Sequence, residues 1–160
     1  MFVANSSTLI LLAKTSALTA FLESIDVVII PEEVYKESVK NKISFDALLI
    51  QKHIGTKIIV KKISTSFKKV QEQFRLDEGE ASAYVLFDSK IHAALLTDDR
   101  ELIKLCKIEG IKFLCAIAII VQLYKRKLLT KEECTEKIEK LQVVGRYSKE
   151  IIDHFKTEVA

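Results

Sequence analysis

An α/β fold is predicted, a three-layer α/β/α sandwich around a central parallel sheet of four to five strands. Three observations predict it. Short apolar, β-branched runs recur along the 160 residues. Each is followed by a stretch of helical periodicity. Apart from the lysine-bearing Lys57–Ile63, the runs are largely apolar, as strands buried on both faces are. A parallel sheet covered by helices on both faces follows, and such sheets bind ligands beyond the carboxyl ends of their strands.

The elements can be justified in order. Phe2-Val3-Ala4 is a strand that ends at Asn5, and Ser6 or Ser7 caps a helix running to Ala13. A helix over about Ser16–Glu23 leads to the β-branched run Asp26–Ile30. Pro31 stops that strand and suits the first turn of a helix over Glu32–Lys40. A helix over Phe45–His53 ends before Gly55, and Lys57–Ile63 is a strand whose lysines suit a sheet edge. A helix near Ser66–Phe74 precedes another that opens at Leu76-Asp77-Glu78-Gly79-Glu80-Ala81 and runs to about Ser89. Then come a strand over Ala93–Thr97, a helix over Asp99–Glu109 stopped by Gly110, and a strand over Lys112–Cys115. Helices over Ala116–Lys127 and Lys131–Gln142 follow, with a helical tail after Gly145. One domain over residues 1–160 is expected, with a helical C-terminal extension from about residue 130.

Composition narrows the class. Hydrophobic residues are 49% and charged residues 29%, which describes a globular chain. The net charge of +3 allows a polyanionic partner without demanding one. Cys106, Cys115 and Cys134 lack a C-x-x-C spacing, and the three histidines are scattered, so no zinc pattern emerges. Free thiols fit a reducing compartment, and a cytoplasmic protein is expected. The longest apolar run, Phe113–Val121, is too short to span a bilayer, and no basic region precedes the first apolar residues.

Acidic groups recur where strands end. Asn5-Ser6-Ser7 follows the first strand, Glu37 lies on the helix after the second, Glu80 opens its helix, and Asp98-Asp99 follows the strand Ala93–Thr97. Each has an ordinary structural role available. Asp77-x-x-Glu80 reads as a capping box, Asp98 can cap the next helix, and Glu37 can pair with Lys40. Together on one edge they point elsewhere. Two carboxylates about 4 Å apart repel by roughly 4 kcal/mol at an effective dielectric near 20. Oxygen-only donors favour Mg²⁺ or Mn²⁺ over zinc, and such an ion can activate water against a phosphodiester.

These residues resemble a known family. Val3-Ala4-Asn5-Ser6-Ser7-Thr8-Leu9-Ile10, Ile29-Ile30-Pro31-Glu32-Glu33-Val34-Tyr35-Lys36-Glu37, Leu76–Ala81 and Leu95-Leu96-Thr97-Asp98-Asp99-Arg100 match, in order and spacing, PIN-domain proteins. That nuclease family includes the VapC-like toxins of prokaryotic toxin–antitoxin pairs, and the likeness runs to about Leu129. A subgroup with a Gly-Glu-Ala motif is the nearest in pattern. The resemblance implies a parallel sheet between helices and cleavage of RNA with Mg²⁺ or Mn²⁺. It implies Glu37, Glu80, Asp98 and Asp99 as catalytic metal ligands, with Asn5 as a further metal-site group and Arg100 and Ser6 as RNA contacts. A T-x-D reading selects Asp99, whereas counting from Glu80 selects Asp98. Asn5 stands where an aspartate is usual, and Cys115 where relatives often place Ser or Thr. The implied partners are an RNA substrate, a small antitoxin protein and a second copy in a homodimer, with no membrane. The alternative is a catalytically degenerate PIN-fold module for RNA binding or protein interaction. A phospho-acceptor domain is a weaker reading, because Asn5 occupies the place of its nucleophile.

Overall fold

The computed structural model describes residues 1–145 and 147–160. Among them lie five strands, all in one parallel sheet: β1 Phe2–Ala4, β2 Val28–Pro31, β3 Ile58–Lys61, β4 Leu95–Leu96 and β5 Phe113–Leu114. Ten helices surround it: α1 Ser6–Lys14, α2 Leu18–Glu23, α3 Glu32–Ser38, α4 Phe45–His53, α5 Lys68–Phe74, α6 Glu78–Leu86, α7 Arg100–Glu109, α8 Ala116–Lys125, α9 Lys131–Val144 and α10 Lys149–Val159. The predicted α/β/α sandwich is the fold found.

The strand order is β3-β2-β1-β4-β5. The chain therefore builds outward from β1 through β2 to β3, then returns to the other side of β1 for β4 and β5. This reversal leaves a crevice outside the carboxyl ends of β1 and β4, where parallel sheets bind ligands. Asn5 and Thr97 are the first residues past those ends. Register ties them together: Ala4 pairs with Leu96, and the Asn5 amide donates to the Leu96 carbonyl at 2.8 Å.

The strands are short: β1 has three residues, and β4 and β5 ladder over two each, inside the longer apolar runs around them. Leu9, Leu12, Ile30, Ile50, Leu95, Leu96, Leu105 and Ile117 are fully buried between sheet and helices. Each such side chain contributes about 1.5–3 kcal/mol. Ile138 and Leu141 of α9 and Ile152 and Val159 of α10 belong to the same core.

Several boundaries differ from expectation for local reasons. Pro31 is itself the last residue of β2 and the cap of α3, while the helix begins at Glu32 as expected. The helix α3 stops at Ser38, whose hydroxyl bonds back to the Val34 carbonyl. Ser16 has φ near 60°, which delays α2 to Leu18. Arg75, also left-handed at φ 54°, ends α5 and turns the chain into α6.

Candidate active site at the carboxyl edge of the sheet

Asn5 caps α1, its Oδ1 accepting the Ser6 N–H at 2.8 Å. Its Nδ2 lies 3.4 Å from Ser7 Oγ and 3.5 Å from Thr97 Oγ1. At 2% exposure, Asn5 is a buried strut between the ends of β1 and β4. Ser6 turns the other way, and its hydroxyl donates to Glu37 Oε2 at 2.9 Å. Thus Ser6 orients an acid.

Glu37 receives a second bond from α6. Its Oε1 accepts the Gly79 N–H at 3.0 Å, one of the open donors at a helix N-terminus. The approach requires glycine. A Cβ placed on Gly79 would stand 2.6 Å from Glu37 Cδ and nearer still to both oxygens. Burial, and then the Asp77 charge, raise the Glu37 carboxyl above its ordinary range, against the pull of Ser6 and Gly79. No ion pair joins Glu37 to Lys40 among the described residues. One turn earlier on α3, Glu33 Oε2 is a buried oxygen with no hydrogen-bond partner.

Glu80 does form the capping box. Its Oε2 accepts the Asp77 N–H at 2.9 Å, and Asp77 Oδ1 accepts the Glu80 N–H at 2.8 Å. It is also half-buried beside Asp99. Burial first, and then the Asp99 carboxylate, push Glu80 up to about 8. Asp99 caps α7, its Oδ2 accepting the Leu102 N–H at 2.8 Å. Two carboxyl groups from two helix starts therefore face each other, each held by a backbone amide.

Asp98 faces away from that pair. Its carboxylate accepts the Thr8 hydroxyl at 2.6 Å, the Ala116 N–H at 2.9 Å and the Tyr147 hydroxyl. Its own N–H donates to Ser7 Oγ at 3.0 Å. Burial raises Asp98 above the usual carboxylate range, opposed by those three donors. Burial and the Asp98 charge in turn push the Tyr147 phenol upward, which keeps it a donor. The residue joins α1, the end of β4, the start of α8 and the segment before α10.

A family comparison decides what this edge belongs to. The family model DUF3368, a PIN domain, matches residues 1–159. The chain belongs to the PIN-domain family. No curated protein and no solved structure matches it. PIN domains are generally nucleases that use divalent metals, so a nuclease or RNA-related function is indicated at that coarse level. No helix of the described residues is long and apolar enough to cross a membrane.

The PIN fold thus gathers the residues that the sequence singled out, but in two groups. Glu37 and Glu80 both lie at the first turn of α6, Glu37 on the Gly79 N–H with Ser6 behind it and Glu80 beside Asp99. Asn5 and Asp98 sit in the hydrogen-bonded floor. Arg100 opens α7, exposed, with no ion pair among the described residues. Cys115 precedes α8 without a side-chain cap. Sequence reasoning missed Thr8, Tyr147 and the steric role of Gly79. Only the last carried a signal: a glycine in the first turn of a helix costs about 1 kcal/mol against alanine and asks for a reason.

The donor set fits a hard cation. Among the described residues no three Asp, Glu, His or Cys side chains form a ready metal cage. Mg²⁺ does not ask for one, since it binds through one or two carboxylates plus waters and substrate phosphates. Glu80 and Asp99 are such a pair, and no protein cation pairs with either among the described residues.

Proposed function

We propose that this PIN domain is a metal-dependent endoribonuclease acting on single-stranded or structured RNA. The observation that carries the reading is the Glu80–Asp99 pair, two facing carboxyl groups at the topological switch point with no ion-paired countercharge among the described residues. Glu80 and Asp99 would hold Mg²⁺ or Mn²⁺, with Glu37 completing the anionic wall. The ion, when bound, supplies an acidified water and charge neutralisation at the scissile phosphate. The protein's own residues do the positioning. Ser6 and the Gly79 N–H fix Glu37, the Asp77 N–H fixes Glu80, and the Leu102 N–H fixes Asp99. Each acid so held loses little rotamer freedom when substrate arrives.

The reading is tested with purified protein and a labelled single-stranded RNA. Cleavage should require Mg²⁺ or Mn²⁺ and vanish in Asp99→Asn and in Glu80→Gln. Metal-independent cleavage, or full activity in both variants, would refute it. The resemblance to VapC-like toxins supports a finer proposal: a cytoplasmic, homodimeric toxin of a type II pair, silenced by a small antitoxin. Growth arrest on expression, relieved by the product of a short adjacent reading frame, is its test.

One observation favours a second reading, a PIN-fold RNA-binding or interaction module without catalysis. Asn5 commits its amide to the floor, where its oxygen caps α1 and brings no charge. If the wild type is inert and Asn5→Asp cleaves RNA, that second reading holds.

A further inference from the structure

Charge is distributed unevenly along this chain. Residues 36–69 carry nine lysines against two acids, Glu37 and Asp46, so this segment alone exceeds the whole chain's net +3. The remaining residues are net acidic. None of the nine lysines forms an ion pair among the described residues. Some have local explanations. Lys57 donates to the Ile25 and Asp26 carbonyls at 2.6 and 3.1 Å. Lys61 lines a surface cavity with Met1, Phe87 and His92, and Lys52 ends α4.

The other six, Lys36, Lys40, Lys42, Lys62, Lys68 and Lys69, are all exposed. The topology brings both groups to the acidic edge. Lys36, Lys40 and Lys42 lie on α3 and just past it, and the Lys42 ammonium donates to the Glu37 carbonyl oxygen. The other three lie in the connection that leaves the carboxyl end of β3 and returns at Asp77, the cap of the helix bearing Glu80. Lysines on an edge strand discourage stray pairing. That role does not reach Lys62, Lys68 and Lys69, which follow the strand.

We propose that the RNA backbone runs across the β3 side of the edge, its phosphates carried by these six lysines. This rests on the nuclease reading for what happens at Glu80 and Asp99, but not for the binding itself. An extended polyanion fits the arrangement better than an acidic peptide does. Ser64, Thr65 and Ser66, exposed between the two lysine pairs, add hydroxyl donors for phosphate oxygens. Phe45, at the start of α4 three residues past Lys42, is 64% exposed and offers a flat ring on which a base can stack.

The test is fluorescence anisotropy of labelled oligouridine in EDTA, where no cleavage intervenes. Lys40→Gln/Lys42→Gln/Lys62→Gln/Lys68→Gln should bind at least tenfold more weakly than wild type. Its salt dependence should be shallower by about 0.7 for each phosphate that a lysine no longer neutralises. Lys107→Gln/Lys112→Gln/Lys131→Gln/Lys140→Gln, which removes the same charge elsewhere, should stay within threefold. Circular dichroism verifies that both variants fold. Equal losses in the two quadruple variants, or no loss in the first, overturn the assignment. So does displacement of the RNA by polyglutamate as readily as by unlabelled oligouridine, which would mark a dock for acidic protein. If the first set governs binding while no metal yields cleavage, the nuclease reading falls and the RNA path stands. Cleavage that survives with lysine-insensitive binding does the reverse.

Discussion

Replacing Gly79 with alanine isolates the placement of Glu37 from everything else in the protein. Gly79 sits in the first turn of α6 with an ordinary helical backbone, so alanine meets no conformational strain there. Its Cβ, however, would occupy the seat of the Glu37 carboxylate, 2.6 Å from Cδ. No carbon contact survives at that distance, and Glu37 is the flexible partner, so the carboxylate moves. The 3.0 Å bond from the Gly79 N–H goes with it. A hydrogen bond to a charged group contributes about 1.5–3 kcal/mol. Alanine returns up to about 1 kcal/mol of helix propensity, and Glu37 regains hydration. A net loss near 1 kcal/mol follows, a fall in Tm of about 2–4 °C for a chain of this size. The effect on chemistry should be far larger, because misplacing a reacting group by about 1 Å costs on the order of 100-fold. The assays are thermal denaturation followed by circular dichroism, Mn²⁺ titration, and single-turnover RNA cleavage. Ser6→Ala is the companion, since it removes the other Glu37 bond without a clash and should cost less activity. A Gly79→Ala protein that folds and cleaves at the wild-type rate would show that Glu37 need not sit where α6 holds it.

Other consequences concern the remaining acids. Glu80, pushed up to about 8 in the folded protein from 4.5, holds its proton in the native state at pH values where the unfolded chain has lost it. Its contribution to stability is therefore present below about pH 4.5 and is lost progressively as pH rises to about 8, so metal-free protein should lose this contribution across that window in denaturation midpoints. The same proton competes with metal, so Mn²⁺ affinity by calorimetry should weaken by up to about tenfold per unit as pH falls from 8, with proton release on binding. Asp98→Asn should destabilise the fold by about 2–3 kcal/mol in urea denaturation, because Thr8, Ala116 and Tyr147 all donate to the carboxylate it replaces. Asp99→Asn should stay within about 0.5 kcal/mol, asparagine being as good a helix cap, while losing Mn²⁺ binding. Tyr147→Phe should lower stability by about 1.5–3 kcal/mol through the missing bond to Asp98. An unchanged urea midpoint would remove Tyr147 from the support of the edge.

Much of the fold was legible because its signals are local. The run Asp26–Ile30 before Pro31, the cap Asp77, and Gly110 past α7 each report on a few residues at once, whereas α1 is capped by Asn5 and not, as expected, by Ser6 or Ser7. What was misjudged depended on partners. The strands expected over Ala93–Thr97 and Lys112–Cys115 ladder over two residues each, a length set by their pairing and not by their own apolar runs. Ser16 and Arg75 adopt left-handed backbones that neither residue type announces. The site divides in the same way. Glu80 and Asp99 could be placed from helix starts, and Glu37 from the helix that follows β2. The grip of Tyr147 on Asp98 spans 49 positions and depends on how α9 and α10 lie over α8, which no short pattern encodes.

The aspartate pair shows why adjacency in sequence does not mean a shared task. The chain past β4 is extended, with Asp99 at φ −76° and ψ 129°, so successive side chains leave on opposite sides. One side of this segment is the floor, where Thr8, the start of α8 and Tyr147 supply three donors to one carboxylate. The other side is the mouth, where α6 begins and Glu80 already sits. A carboxylate in the floor is satisfied and gains nothing from a cation, which would have to displace three hydrogen bonds to reach it. A carboxylate in the mouth keeps one oxygen on an amide and meets a second acid across the gap, an arrangement that a divalent ion relieves. The missing charge of Asn5 is therefore not restored by Asp98, whose own charge holds the edge together. We therefore propose that Glu80 and Asp99, with Glu37 on the neighbouring Gly79 amide, would hold a metal at this edge, while the floor keeps them in place.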